Sequence, residues 1–175
     1  MQKIFYYIIF SLLMSLLFSS CNDNDADDAY QKYLEDLEKY QQELYDQYQI
    51  DSTLISNYLE ENMDTLAVYH ESSGIFYTIV EEGGDYKPND GSVIQIKYKG
   101  MLLDGTIVDE TTGENTAIFR LGDLITGWRI GLPLIGIEGK IILYLPSYYA
   151  YGSKDLDEIP PYSVLIFEIE LVNFY

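Results

Sequence analysis

The hydrophobic period of this chain changes once, near His70, and that change decides which part can be helix and which part sheet. Between residues 29 and 49, Tyr30, Tyr33, Leu34, Leu37, Tyr40, Leu44, Tyr45 and Tyr48 recur every three or four positions, the spacing of one face of an α-helix. A second helix is expected from an Asp51-Ser52 cap, with Leu54, Ile55, Tyr58 and Leu59 on one stripe, so that the two form a helical hairpin or stalk. After Tyr69-His70-Glu71 alternation takes over. Ile75-Phe76-Tyr77-Thr78-Ile79-Val80, bounded by Gly74 and Gly83-Gly84, reads as a strand, and further strands are expected at 92–99, 116–121, 140–145 and 164–172. One short helix interrupts them near residues 127–132, limited by Pro133. Antiparallel strands with a single helix define an α+β domain whose sheet curls around that helix.

The first residues read as an address rather than as fold. Lys3 precedes an apolar run, residues 4–18, that is too short to span a bilayer and fits the apolar region of a signal peptide. The run ends in Leu17-Phe18-Ser19-Ser20-Cys21, which resembles the lipobox of lipoprotein signal peptides and makes Cys21, the only cysteine, the expected lipidation site. With no second cysteine an internal disulfide is excluded. Asn22-Asp23-Asn24-Asp25-Ala26-Asp27-Asp28 follows at once and is too acidic for a core or a bilayer, so it is expected to be a solvated tether. The expected organisation is a signal peptide at 1–21, tether at 22–28, helical extension at 29–71 and domain at 72–175. Localisation is then the cell envelope, lipid-anchored at the outer membrane, with the periplasmic or surface face left open.

Charge removes one class of function. Ten basic against 29 acidic residues give a net charge of −19, which repels nucleic-acid phosphate. His70 is the sole histidine, so a histidine-based metal site or catalytic triad is not expected, and no metal or cofactor is. The tyrosine-rich helical stripe has three uses: a homodimer interface through residues 29–62, an arm that grips a client, or a helix laid on the domain or spacing it from the membrane. The last takes precedence, because tyrosine tolerates partial exposure and the stripe is short.

Strand phase picks out the aromatic residues that turn inward. Tyr98 shares a face with Ile94 and Ile96, opposite Lys97 and Lys99; Phe167 shares a face with Leu165, Ile169 and Leu171, opposite Glu168 and Glu170. Trp128, the only tryptophan, follows Gly127 at the start of the short helix, where its indole can floor a cup between helix and sheet. Taken singly, each of these aromatic residues also fits plain core packing.

The order of motifs resembles one family. Residues 93–105, ending in the Asp104-Gly105 turn pair, are similar to the strand and hairpin of FKBP-type peptidyl-prolyl isomerases. Phe119-Arg120-Leu121-Gly122, Leu124-Ile125-Thr126-Gly127-Trp128, Gly139-Lys140, Leu143-Tyr144-Leu145-Pro146, Tyr149-Ala150-Tyr151-Gly152 and Ile159-Pro160-Pro161 follow in the family's order, and residues 165–171 resemble its final strand. The resemblance covers residues 72–175. It implies an FKBP-like fold preceded by the helical extension, and a prolyl isomerase that assists folding of exported proteins. Proline-containing polypeptide segments would be its partners.

By the same resemblance Tyr98, Asp109, Trp128, Tyr151 and Phe167 carry the reaction, with Val108, Leu124, Ile125 and Ile159 shaping the pocket. Asp109 would be a buried acid beside it, and Tyr151 with the Ile125 amide would hold the carbonyl groups of the bound segment. Val108 and Ala117 stand where the family usually has aromatic residues, which implies a wider, wetter pocket and slower turnover. Arg129 and Ile130 replace the usual acidic residues after Trp128. The alternative from another class is a non-catalytic FKBP-like binding lipoprotein, a holdase or scaffold.

Overall fold

A computed structural model describes residues 24–175. Cys21 and the signal segment lie outside the described residues. One helix, α1 (Asn24–Glu61), runs without interruption through the position where a turn between two helices was expected. The reason is visible at Asp51: its carboxylate accepts hydrogen bonds from Ser147, far along the chain, instead of capping a new helix, and neither glycine nor proline interrupts the sequence around it. Helical hairpin is therefore corrected to single helix. Among the described residues no helix is long and apolar enough to cross a membrane.

The chain divides into two compact units, one ending at Gln41 and one spanning Gln42–Tyr175. In the first, Tyr30, Tyr33 and Tyr40 are each more than half exposed. The second contains the rest of α1 and all the strands: β1 (Val68–Tyr69), β2 (Phe76–Glu81), β3 (Val93–Leu102), β4 (Ile107–Glu110), β5 (Ala117–Arg120), β6 (Gly139–Leu145) and β7 (Leu165–Phe174). They form one antiparallel sheet in the order β1-β2-β6-β7-β3-β4, with β5 also paired to β3. His70 closes the turn between β1 and β2, its Nδ1 within hydrogen-bond reach of the Ser72 and Ser73 hydroxyls.

Alternation along the central strands separates two cores. Ile141, Leu143 and Leu145 of β6 and Leu165, Phe167, Ile169 and Leu171 of β7 point to the inner face, where α2 (Thr126–Gly131) brings Trp128. Gly127 and Gly131, one helical turn apart, let α2 lie against β6, because a Cβ on either would fall inside the side chain of Leu145 or Leu143. On the outer face Tyr144, Val164 and Ile166 are buried with Ile55 of α1, and Tyr58 and Leu59 pack beside them. The sheet thus wraps one short helix, as expected, and its back is sealed by the second half of the helical extension.

Two hydrogen-bonded carboxylates fasten that back layer. Asp64, just after α1, accepts from Tyr144 Oη at 2.5 Å, Thr78 Oγ1 at 3.0 Å and the Leu66 amide. Burial alone would raise its pKa, but these donors outweigh it and hold the carboxyl below the ordinary value. Asp51, fully buried, is the other.

Candidate functional site

β3 and β7, paired along their length, carry Tyr98 and Phe167 to the same inner surface, and α2 lays Trp128 between them. The indole stands edge-to-face with Phe167, centroids 5.1 Å apart at 88°, and with Tyr98, 5.2 Å at 75°. Both lie in the favourable range for perpendicular aromatic pairs. Such mutual contacts hold each ring in place, so the floor is rigid. Among the described residues the buried Trp128 Nε1 has no hydrogen-bond acceptor.

Above this floor is a cavity of about 200 Å³. That is below the roughly 300–1,000 Å³ of sites for drug-sized ligands and suits one ring-sized side chain with the backbone on either side of it. All nine residues expected at the site line it: Tyr98, Asp109, Trp128, Tyr151 and Phe167, with Val108, Leu124, Ile125 and Ile159. Ile159 reaches the rim from a tight turn in which it exchanges two backbone hydrogen bonds with Leu156. Ile125 is the N-cap of α2, so its amide has no acceptor within that helix. Ala117 packs against the core and is not a wall of the cavity.

Two contributors escaped the sequence reading. Phe119 of β5 lines the cavity, edge-on to Trp128 at 6.4 Å and to Tyr98 at 6.3 Å. Its alternation with exposed Ile118 and Arg120 was the available signal. Gly100, inside β3, is the second: a Cβ there would come within 2.6 Å of Phe167 Cε1, so only glycine leaves room for that ring. A glycine in a strand interior is the usual mark of such close approach.

The polar side of the cup is one hydrogen-bonded pair. Tyr98 Oη donates to Asp109 Oδ2 at 2.5 Å. Burial, then the bond to Asp109 and its charge, push the Tyr98 phenol well above its ordinary pKa. Burial and the same carboxylate raise Tyr151. Both phenols therefore stay protonated at neutral pH and keep a hydroxyl donor at the cup. Asp109 is exposed, not buried as the resemblance implied. It sits on β4, an edge strand with no further strand outside it among the described residues. Arg129 forms a two-pronged ion pair with Asp90, Nε to Oδ1 at 3.2 Å and Nη2 to Oδ2 at 2.7 Å, which ties α2 to the loop before β3.

A larger groove, about 360 Å³, crosses the sheet beside Lys97, Lys99, Lys140, Glu168 and Glu170. Lys97 and Lys140 are already paired, with Glu114 and Glu81. Tyr98 is the groove's one aromatic lining residue, whereas the smaller cup gathers Tyr98, Phe119, Trp128 and Phe167, so the smaller cup is the better candidate. The cup's one hydroxyl–carboxylate pair, Tyr98 with Asp109, holds the phenol protonated, which disfavours a phenolate nucleophile. What it offers is an apolar, ring-sized hollow with protonated hydroxyls at its rim.

The fold is a curled antiparallel sheet around one helix, and the site is an apolar, ring-sized aromatic cup at their junction. The chain belongs to the FKBP-type peptidyl-prolyl cis-trans isomerase family, whose model matches residues 84–172, just over half its length. It is 39% identical over 118 residues to the FKBP-type isomerase FkpA of Escherichia coli, an alignment covering 66% of this chain and 43% of that protein. It is 33% identical over 118 residues to the FKBP-type 22 kDa isomerase of the same species, covering 66% and 57%. The chain thus spans less than half the length of FkpA. Among solved structures, FkpA from Escherichia coli superposes with a TM-score of 0.62 at 26% identity, covering 99% of this chain and 82% of that one. A peptidyl-prolyl isomerase from Pseudomonas syringae pv. tomato gives 0.63 at 29% identity, covering 73% and 92%.

Proposed function

We propose that this chain is a prolyl isomerase that assists the folding of exported polypeptides from a lipid anchor at the bacterial outer membrane. The observation that carries the activity is the cup floored by Trp128, walled by Tyr98, Phe119 and Phe167, and closed on one side by the Tyr98–Asp109 bond. Rotation about an X-Pro bond is slow because the planar amide has partial double-bond character, with a barrier on the order of 20 kcal/mol. Water stabilises that planar, charge-separated form. A proline ring placed on Trp128 carries its amide out of water, and the Tyr151 hydroxyl and Ile125 amide hold the flanking carbonyls while the bond twists. No covalent step is required. Proline-limited refolding of a model protein by the fragment from Asn22 onward is the test. Acceleration lost in Trp128→Ala and Asp109→Val supports the reading; no acceleration by folded protein refutes it.

The anchor is supported by Leu17-Phe18-Ser19-Ser20-Cys21 and the acidic run after it. Labelled palmitate should enter the protein in cells and be lost in Cys21→Ser; equal incorporation in both sinks the assignment. A second reading, a holdase or self-association role for the first unit, is favoured by the exposure of Tyr30, Tyr33 and Tyr40 at 58%, 61% and 56%. A chain starting at Gln42 should then keep isomerase activity but lose aggregation suppression and any dimer in sedimentation. If neither changes, residues 29–41 are a spacer.

A further inference from the structure

The segment that brings Tyr151 to the cup is folded around one residue. After β6 the chain passes Pro146 and makes a single 3₁₀ turn, Ser147–Tyr149. The Ser147 carbonyl accepts from the amides of both Ala150, at 3.0 Å, and Gly152, at 2.8 Å, which brackets Tyr151. The other side of Ser147 is held from the back of the molecule. Its amide and hydroxyl both donate to Asp51 Oδ2, at 2.8 and 2.6 Å, and Gln47 Nε2 donates to Asp51 Oδ1 at 2.8 Å. Asp51 is 0% exposed and Ser147 1%.

A buried carboxylate is a poor adhesive, since an apolar side chain of that volume would join helix and sheet at less desolvation cost. What the carboxylate adds is direction: two donors from one residue converge on a single oxygen, in bonds to a charged acceptor that are shorter and stronger than neutral ones. Tyr151 lies four residues after Ser147, between the two amides that the Ser147 carbonyl accepts from, so the direction set at Ser147 carries to the cup wall.

We infer that Asp51 is a positioning residue for Tyr151, so that the second half of the N-terminal helix sets the geometry of the prolyl site. The inference rests on the isomerase reading. Remove the carboxylate and Ser147 keeps two buried donors without an acceptor; the turn then samples other directions, and Tyr151 leaves its place at the rim for part of the time.

The experiment compares Asp51→Ala with Ile55→Ala in the chain from Asn22 onward. Ile55 is fully buried one turn further along the same helix, where it belongs to the back core with Tyr144, Val164 and Ile166 and offers Ser147 no hydrogen-bond acceptor from its side chain. Below the melting temperature of either variant, Asp51→Ala should lower kcat/KM on a proline-containing tetrapeptide by roughly ten- to a hundredfold, the loss typical of a misplaced catalytic group. Ile55→Ala should leave it within about twofold at a comparable loss of melting temperature. Asp51→Asn, which still presents an oxygen to Ser147, should recover most of the rate. In parallel, hydrogen exchange at the Ala150 and Gly152 amides should quicken in Asp51→Ala and not in Ile55→Ala. Equal loss in both variants, or no loss in Asp51→Ala, overturns the proposal. Should Asp51→Ala fail to fold, Ser147→Ala, which keeps the backbone bond, must still quicken exchange at those amides, and unchanged exchange overturns it. A wild-type chain without isomerase activity sinks the functional reading alone, because exchange at Ala150 and Gly152 still reports on Asp51.

Discussion

Gly100→Ala is the smallest change that should disturb the cup from behind. The new methyl would stand 2.6 Å from Phe167 Cε1 and 3.1 Å from Cδ1, well inside contact distance, and 3.4 Å from Val108 Cγ2 on the other side. β3 cannot retreat, because it is paired to β7 from Ile94 to Leu102 and Gly100 itself faces Phe167 across that ladder. The ring must therefore move, and it is 4% exposed with Trp128 edge-on at 5.1 Å. Overpacking of this kind costs about 1–3 kcal/mol. At about 3–5 °C per kcal/mol for a domain of this size, the melting temperature should fall by roughly 3–15 °C. Trp128 is the only tryptophan, so its emission reports on the same event and should shift to the red as water reaches the indole. Isomerase kcat/KM should drop by more than the stability loss explains, since the displaced ring is a wall of the site. Adding Phe167→Leu should restore stability by at least about 1 kcal/mol relative to additivity. An unchanged melting temperature with unchanged emission would falsify the claim that Gly100 exists to seat Phe167.

Tyr98→Phe removes the donor to Asp109; because that carboxylate is exposed and can turn to water, the stability loss should stay near 1 kcal/mol while kcat/KM falls several-fold, and a larger effect on stability than on rate argues against a role in the cup. Gly131→Ala drives a methyl into Leu143 and should cost about 1–3 kcal/mol by urea titration despite the higher helix propensity of alanine; stabilisation instead means α2 does not need its close approach to β6. Asp64, whose folded-state pKa lies below its ordinary 3.8, contributes stability that is complete at neutral pH and is lost as pH falls below about 4 through the folded value. Urea midpoints should therefore drop between pH 5 and pH 3 in the wild type and less so in Asp64→Asn; equal drops assign acid sensitivity elsewhere. Starting the chain at Gln42 should leave the melting temperature of the second unit unchanged, whereas starting at residue 63 strips Ile55 and Asp51 from the back of the sheet and should abolish cooperative unfolding; a folded, cooperative fragment from residue 63 contradicts the back-layer packing.

The α+β class, the positions of β2, β3, β5, β6 and β7 and the inward phase of Tyr98 and Phe167 were legible because each depends on alternation within ten residues or fewer. The nine cup residues were named from the order of family motifs, and the structure brings all nine to one cavity. The misread features share a cause. Asp51-Ser52 has the local form of a helix cap, yet Asp51 is drawn into the helix interior by donors on Ser147, 96 residues away. Asp109 belongs to a motif that suggested burial, but exposure depends on whether a strand lies outside β4, and among the described residues none does.

The sequence by itself determined the periods, and with them the helix, the strands and the faces they bury, since period is a property of neighbouring residues and the backbone geometry they share. It also supplied the glycines at 100, 127 and 131 without saying what they make room for. Tertiary structure alone decided that α1 is continuous, that its second half seals the back of the sheet, and that a carboxylate on it holds the turn bearing Tyr151. Those outcomes depend on partners brought together by the closing of the sheet, and a hydrogen bond between residues 51 and 147 leaves no mark on the pattern around either one.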